Sequence, residues 1–367
     1  MIYLDNGATS FRKPVGVYRA VDHAMRTCAN PGRGGYAAAM TAADTVFRCR
    51  ERAAELFECQ PEQVIFTSNC THGLNIAIRS LFRPGSRVVI SGFEHNAVTR
   101  PLHLLGARVR VAGRKLFDPA DTLQQFEDAL RAGTDGAVFT HVSNVFGYIL
   151  PVEEMAALCR KYGVPFIVDA AQSAGALEVK PGRWGADFVA IPGHKGLLGP
   201  QGTGLLLCAG DTKPLLAGGT GSNSLEQEMP VFLPDRLEAG TLNVPGIAGL
   251  SEGLAYLLRC GTEPIFRREH QTAVRCVRML QRLGYRVFAG ENQAGTVSFL
   301  PKGDCEEMAH YLAGQGIAVR AGLHCAPLAH ESAGTLQTGT VRVSFGHDAG
   351  FFQCDALEKA LRCAGKN

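Results

Sequence analysis

One lysine and its surroundings carry the first chemical signal. In DFVAIPGHKGLLGPQGTG (187–204), a short apolar run, Phe188 to Ile191, breaks at Pro192-Gly193 and delivers His194 and Lys195, with glycines at 196, 199, 202 and 204. Glycine lets the backbone approach a ligand closely and take left-handed conformations. A lysine in such a place can be desolvated, which lowers its pKa and frees the amine to form a Schiff base with a carbonyl. Read alone, the stretch is equally a Gly-rich turn with an exposed lysine. Other polar residues also follow apolar runs. Ser68 to Gly73 comes after Thr67 and opens a helix. Thr71 there is either part of an anion site built on backbone N–H groups or a plain N-cap. Glu94-His95-Asn96 follows Ser91, Asn144 follows Thr140 within HVSNVFG, and Asp169 ends the run VPFIVDA with Gln172 just beyond. An aspartate in that position alone reads as a strand-end cap. Five such ends converging on one sheet edge argue against independent caps.

The elements needed to bring them together are legible in the pattern. Apolar runs at 63–67, 87–91, 107–111, 136–140, 165–169, 187–191 and 204–208 read as strands. Amphipathic stretches at 41–57, 71–82, 96–105, 122–132 and 152–162 read as helices. Apolar strands alternating with such helices predict an α/β fold, a mainly parallel sheet covered on both faces. Ligands of such sheets sit at the carboxyl ends of the strands. The pattern changes after about Gly240. Helices are predicted at 247–259, 263–283, 306–315 and 354–362, and strands at 285–288, 296–300, 317–320 and 340–345. The division expected is a large α/β domain over 15–245 and a smaller α+β domain built from 1–14 and 246–367. The loop NPGRGG (30–35) offers Arg33 as a solvated charge.

Composition narrows the function. The chain has 367 residues, 46% apolar and 19% charged, with 37 basic and 34 acidic side chains and a net charge of +3. That balance argues against nucleic acid or an anionic membrane as the main partner. No apolar run reaches the length of a membrane span, and MIYLDNGATS lacks a secretion-signal pattern, so a cytoplasmic location is expected. The twelve cysteines form no CxxC pair. This argues against a zinc site or a redox dithiol and for small buried hydrophobes in a reducing compartment.

An anion cradle, a strand-end carboxylate and a lysine in a Gly-rich loop match the needs of pyridoxal 5'-phosphate (PLP): a held phosphate, an acid at the pyridinium nitrogen, and a lysine at the aldehyde. The chain resembles the fold-type I PLP enzymes of the class V aminotransferase group, and within it the cysteine desulfurases and selenocysteine lyases. YLDNGATS (3–10), EHNAV (94–98), THVSNVFG (140–147), VDAAQ (168–172), GHK (193–195), EAGTLN (238–243) and RAGLHC (320–325) fall in the family's order. The resemblance implies that Lys195 forms the Schiff base, Asp169 pairs the pyridinium nitrogen, Gln172 bonds the phenolate oxygen and His95 stacks on the ring and moves protons. It implies that Thr71, the backbone at Cys70 and His194 hold the phosphate, with Thr241 reaching the phosphate of the other protomer of a homodimer. Asn144 and Arg342 would bind the substrate carboxylate, although strand alternation also allows Arg342 a surface salt bridge. Pro192 and Cys70 depart from the family, which more often has a hydroxyl residue and a threonine there.

Cys325 decides the chemistry that the resemblance implies. It lies in RAGLHCAPLAHE with His324, Gly322 and Pro327 around it, and Arg320 or His324 is positioned to favour its thiolate. By composition alone it is one more buried cysteine. By resemblance it attacks the sulfur of L-cysteine, keeps that sulfur as a persulfide and releases alanine. The short, Gly-flanked loop resembles the branch with a constrained cysteine loop, so the sulfur acceptor would be a dedicated protein or a small thiol. Alternatives are a selenocysteine lyase, another class V aminotransferase or lyase with an idle Cys325, and a catalytically silent scaffold.

Overall fold

The computed structural model describes residues 1–32 and 34–364, so Arg33 lies outside the described residues. In chain order the elements are β1 (Ile2–Tyr3), α1 (Val15–Thr27), α2 (Ala37–Phe57), β2 (Val64–Thr67), α3 (Cys70–Leu81), β3 (Arg87–Ser91), α4 (Asn96–Leu105), β4 (Arg108–Ala112), α5 (Pro119–Arg131) and β5 (Gly136–Thr140). They continue with α6 (Val152–Tyr162), β6 (Phe166–Asp169), α7 (Pro181–Trp184), β7 (Phe188–Pro192), β8 (Gly204–Cys208), α8 (Val244–Cys260) and α9 (Thr262–Arg282). The last are β9 (Arg286–Phe288), β10 (Thr296–Leu300), α10 (Cys305–Gly314), β11 (Ile317–Ala318), α11 (Pro327–Ala333), β12 (Val341–Ser344) and α12 (Phe351–Ala364).

Seven strands form one sheet in the order β2-β8-β7-β6-β5-β3-β4. Only β8 runs against the rest. The carboxyl ends of β2, β3, β5, β6 and β7 therefore share one edge. Register aligns them closely: Thr140 pairs with Asp169, Asp169 with Ala190, and both Pro192 and Thr67 with Gly204. β2, β5, β6, β7 and β8 are buried along their whole length. Strands covered on both faces have no need of alternating polarity, which is why they read as unbroken apolar runs. One face packs on α3 and α4 through Leu74, Ile78, Val98 and Leu102. The other packs on α2, α5, α6 and α8 through Phe57, Phe126, Met155 and Leu254. Each such side chain, fully buried, contributes roughly 1.5–3 kcal/mol.

A separate core joins Leu4, Met279, Phe299, Leu312, Val343 and Leu357. It covers the antiparallel sheet β12-β10-β9, and β1 pairs in parallel with β11 beside it. The N-terminal strand thus belongs with the C-terminal third. Residues 5–10 then cross to the large sheet, where Ser10 N–H donates to the carbonyl of His194 at 3.0 Å. The expected boundary at 245/246 falls at the start of α8, a helix that contributes Ile247, Leu250, Leu254 and Leu257 to the core of the large sheet. Among the described residues, no helix is long and apolar enough to cross a membrane.

Candidate active site

At the carboxyl edge of the main sheet lies a cleft of ≈ 770 Å³, counting the space open to solvent. Cys70, Thr71, His95, Asp169, Gln172, His194 and Lys195 line it from the large sheet. Asn144, from the loop after β5, and Arg320 and Arg342 close the opposite wall. Two expected residues lie elsewhere. Thr241 is exposed and lines a separate hollow with Leu242 and Glu238. Cys325 is also exposed, with its Sγ 3.9 Å from Arg320 Nη2.

The turn after β7 sets Lys195 in the cleft. Burial lowers its ammonium below the ordinary value, against the opposing pull of Asp169 and Cys70. The glycines around it differ from the sequence expectation of close approach to a ligand. A Cβ on Gly193 would stand 2.1 Å from Thr203 Oγ1, and one on Gly196 would stand 2.1 Å from the carbonyl oxygen of Ala174. These glycines let the loop press against its own scaffold.

Asp169 ends β6. Its Oδ1 accepts the Ala171 N–H at 2.9 Å and the Cys70 thiol at 3.4 Å. Burial, with Asp169 beside it, pushes the Cys70 thiol up, so Cys70 stays a donor. His95 caps α4, accepting the Ala97 N–H at Nδ1 (3.0 Å). A neutral imidazole carries one hydrogen, so Nε2 bears it. Burial depresses His95 to about 4, which keeps the ring neutral near pH 7. Gln172 gives one amide hydrogen to the carbonyl of Gly7 at 2.9 Å and keeps the second. At the N-terminus of α3, Asn69 takes the His72 N–H, whereas the N–H groups of Cys70 and Thr71 have no protein acceptor among the described residues. Free amides at a helix start suit an anion. His194 stands nearby, its Nδ1 3.1 Å from Thr9 Oγ1.

Arg342 is 1% exposed, which excludes the surface salt bridge that strand alternation allowed. Its Nη2 meets Asp5 Oδ1 at 2.6 Å and its Nη1 donates to the carbonyl of Asn144 at 2.9 Å. Asn144 in turn gives one Nδ2 hydrogen to the carbonyl of His324 at 2.8 Å. Arg342 Nε and Asn144 Oδ1 are buried without partners. An unpartnered buried polar atom costs about 1–3 kcal/mol. Two such atoms, with free donors left on Arg342 and Asn144, make this a wall built for a polar ligand. The free amides of α3, the open side of Asp169 and the desolvated Lys195 fit PLP at one end of the cleft, and the Arg342 wall fits a carboxylate at the other.

His324 cannot lend charge to Cys325. Burial drives its imidazole down to about 2, with Arg342 pushing the same way. Arg320 is the cation at the sulfur. Sequence reasoning passed over Asp5 and named Glu94 at a strand end without giving it a role. Asp5 lies within YLDNGATS, whose chemistry shows only once Arg342 arrives from the far end of the chain. Glu94 Oε1 accepts Ser91 Oγ–H at 2.5 Å and the Thr140 N–H at 2.9 Å, tying β3 to β5 beside His95. Burial raises this carboxyl to about 8.

Comparisons with known proteins show what the whole chain is similar to. The chain is 33% identical over 362 residues to a probable cysteine desulfurase of Methanothermobacter thermautotrophicus, spanning 94% of this chain and 89% of that one. Among solved structures, a cysteine desulfurase from Thermococcus onnurineus superposes with a TM-score of 0.89 at 30% identity, covering 100% of this chain and 94% of the other. The cysteine desulfurase CsdA of Escherichia coli gives a TM-score of 0.85 at 26% identity, covering 100% and 94%. The architecture is that of the fold-type I PLP enzymes. The class-V aminotransferase family model matches residues 2–357, and the chain belongs to that family.

Proposed function

We infer that this protein is a PLP-dependent cysteine desulfurase that converts L-cysteine to L-alanine and keeps the sulfur as a persulfide on Cys325. The observation that carries the reading is an exposed thiol, Cys325, set 3.9 Å from a guanidinium that also lines the cleft. When bound, PLP draws electrons from the substrate Cα and so weakens the Cβ–S bond. Arg342 and Asn144 hold the substrate carboxylate, which fixes where its thiol lies. Lys195, its ammonium destabilised by burial, accepts the Cα proton. The Cys325 sulfur, 3.9 Å from the Arg320 guanidinium, attacks the substrate sulfur as the thiolate. The new S–S bond forms as Cβ–S breaks, Cβ takes the electron pair and a proton to become the methyl group of alanine, and Lys195 returns a proton to Cα. Neutral His95, with Nε2–H toward the cleft, orients the ring and moves protons there. Asp169, Gln172, Thr71, the Cys70 backbone and His194 hold the cofactor.

Thr241 stands outside its own cleft, and in this reading it serves the phosphate of a partner's site, so the active unit is a homodimer. The clamped Cys325 loop calls for a small thiol or a dedicated protein to collect the sulfur. Twelve free cysteines suit a reducing cytoplasm. The test is alanine and sulfide formation by the holoenzyme and by Cys325→Ala, with cysteine, selenocysteine and cystine offered in parallel. Loss of both products from cysteine in the variant is expected. Undiminished alanine formation from cysteine would overturn the reading.

A further inference from the structure

Cys325 rests on a backbone that needs support. His324 and Cys325 both adopt left-handed conformations, with φ of 52° and 55°. Non-glycine residues are strained in that geometry and keep it only where the surroundings over-determine it. Part of that restraint comes from the large sheet. The carbonyl of His324 accepts from Asn144 Nδ2 at 2.8 Å, and the carbonyl of Cys325 accepts the Asn96 N–H at 2.8 Å.

The rest comes from beneath, through two histidines. His324 Nε2 lies 3.3 Å from the carbonyl oxygen of Arg320, and His324 Nδ1 lies 3.3 Å from His330 Nε2. His330 Nδ1 lies 2.8 Å from Thr335 Oγ1. The two rings are within 11° of parallel. His324, His330 and Thr335 are 3%, 0% and 1% exposed, so water cannot replace any member. The direction of the chain follows from its ends. A carbonyl oxygen only accepts, so His324 Nε2 carries the hydrogen and His324 Nδ1 is an acceptor. His330 must then donate from Nε2, which leaves its Nδ1 to accept the Thr335 hydroxyl hydrogen. Each member makes its bonds in one tautomer, and both rings are neutral.

We propose that His330 and Thr335 are positioning residues for Cys325: the chain Thr335 to His330 to His324 to the Arg320 carbonyl locks the His324 ring, and with it the strained backbone that sets the sulfur beside the Arg320 guanidinium. The chain anchors both sides of that contact, because it ends on Arg320 itself. Arg320 is further fixed by its antiparallel bridge to Arg342, whose N–H donates to the Arg320 carbonyl at 2.7 Å. The nucleophile, its counter-charge and the carboxylate-binding arginine are thus one mechanical unit. Neither His330 nor Thr335 lines the cleft. This proposal rests on the reading of Cys325 as the nucleophile.

The test uses PLP-loaded enzyme and three variants. Thr335→Val keeps the shape and removes the hydroxyl that fixes the His330 tautomer. His330→Phe removes the donor to His324, and His330→Gln restores a donor at that position. Two readouts are taken: kcat and KM for alanine formation from L-cysteine, and the rate of Cys325 alkylation by iodoacetamide, resolved by peptide mass spectrometry. Expected are a kcat loss of about tenfold for Thr335→Val and up to about 100-fold for His330→Phe, since misplacement near 1 Å has that cost. KM and the cofactor absorbance stay near wild type, alkylation of Cys325 slows in parallel, and His330→Gln recovers most of the loss. Wild-type kcat and alkylation in both Thr335→Val and His330→Phe would overturn the proposal. So would a rise in KM with unchanged kcat, or equal losses in His330→Phe and His330→Gln. If Cys325→Ala itself keeps full activity, the reading of the nucleophile fails first, and that outcome is distinct from these.

Discussion

The loop that delivers Lys195 is held by glycines packed tightly on neighbouring segments, whereas the loop that delivers Cys325 is held by side chains gripping a strained backbone at the cysteine itself. Around Lys195, a Cβ on Gly193, Gly196 or Gly199 would meet another chain segment, and His194 and Lys195 keep out of the left-handed region, although Leu198 three residues on takes it (φ 60°). Around Cys325, two non-glycine residues occupy that region, pinned by Asn144, the Asn96 N–H and the His324 ring. The difference matches the two tasks. A lysine that takes a proton from a substrate fixed by other groups needs a constant place and a dry one. A cysteine that takes sulfur and then hands it on needs exposure, and its aim has to come from below.

Several changes would break or sharpen this contrast, beginning with the largest effect. Lys195→Ala should lower alanine formation by about 10³-fold or more, because it removes the group that takes the Cα proton, and general-base catalysis contributes typically 10²–10⁴-fold. Activity within tenfold of wild type would remove Lys195 from the proton transfer. Asp5→Ala strips the partner from a buried guanidinium, and hydrogen bonds to charged groups contribute about 1.5–3 kcal/mol. KM for L-cysteine should rise about tenfold or more with a smaller change in kcat. A kcat loss at constant KM would instead place Asp5 with the Cys325 unit.

Gly196→Ala tests the lysine loop as packing. Its Cβ would stand 2.1 Å from the Ala174 carbonyl oxygen, and such overpacking costs about 1–3 kcal/mol. Gly182→Ala, where nothing lies within 4 Å, should leave thermal stability within about 0.5 kcal/mol. Equal unfolding temperatures for the two variants would contradict the packing account.

The smallest effect concerns Glu94. Its carboxyl is raised to about 8 in the folded protein, so between roughly pH 4.5 and 8 the native state binds the extra proton. Stability from this group is complete below the unfolded value and is lost as pH rises through the folded one. Denaturant unfolding should show a decline on the order of 1–3 kcal/mol from pH 5 to pH 9 that is flattened in Glu94→Gln. A wild-type slope in Glu94→Gln would assign the decline to other groups.

The same contrast explains what was legible in the sequence. Lys195, Asp169, His95 and Thr71 each follow a buried strand of one sheet, and parallel topology alone places strand ends together. The apolar runs and the breaks after them were therefore enough to gather those residues. Arg342 was less legible because its burial depends on Asp5, over three hundred residues away in the chain. The roles of His324 and His330 were hidden for the same reason: a buried, hydrogen-bonded ring pair leaves no period in the sequence. Helix α1 went unread because only Val17 and Ala24 of its thirteen residues are buried. The Gly-rich run around Lys195 was read as an approach to a ligand, since a sequence does not say which backbone a glycine faces.

The central claim is that sulfur passes from substrate to Cys325. A single turnover of holoenzyme with one equivalent of L-cysteine, quenched by alkylation and resolved by peptide mass spectrometry, tests it most directly. The account predicts about one equivalent of alanine and one added sulfur on the peptide carrying Cys325, with none on the other exposed cysteines, Cys260 and Cys363. Alanine formed with no added sulfur on Cys325, or with the sulfur on another cysteine, would contradict it.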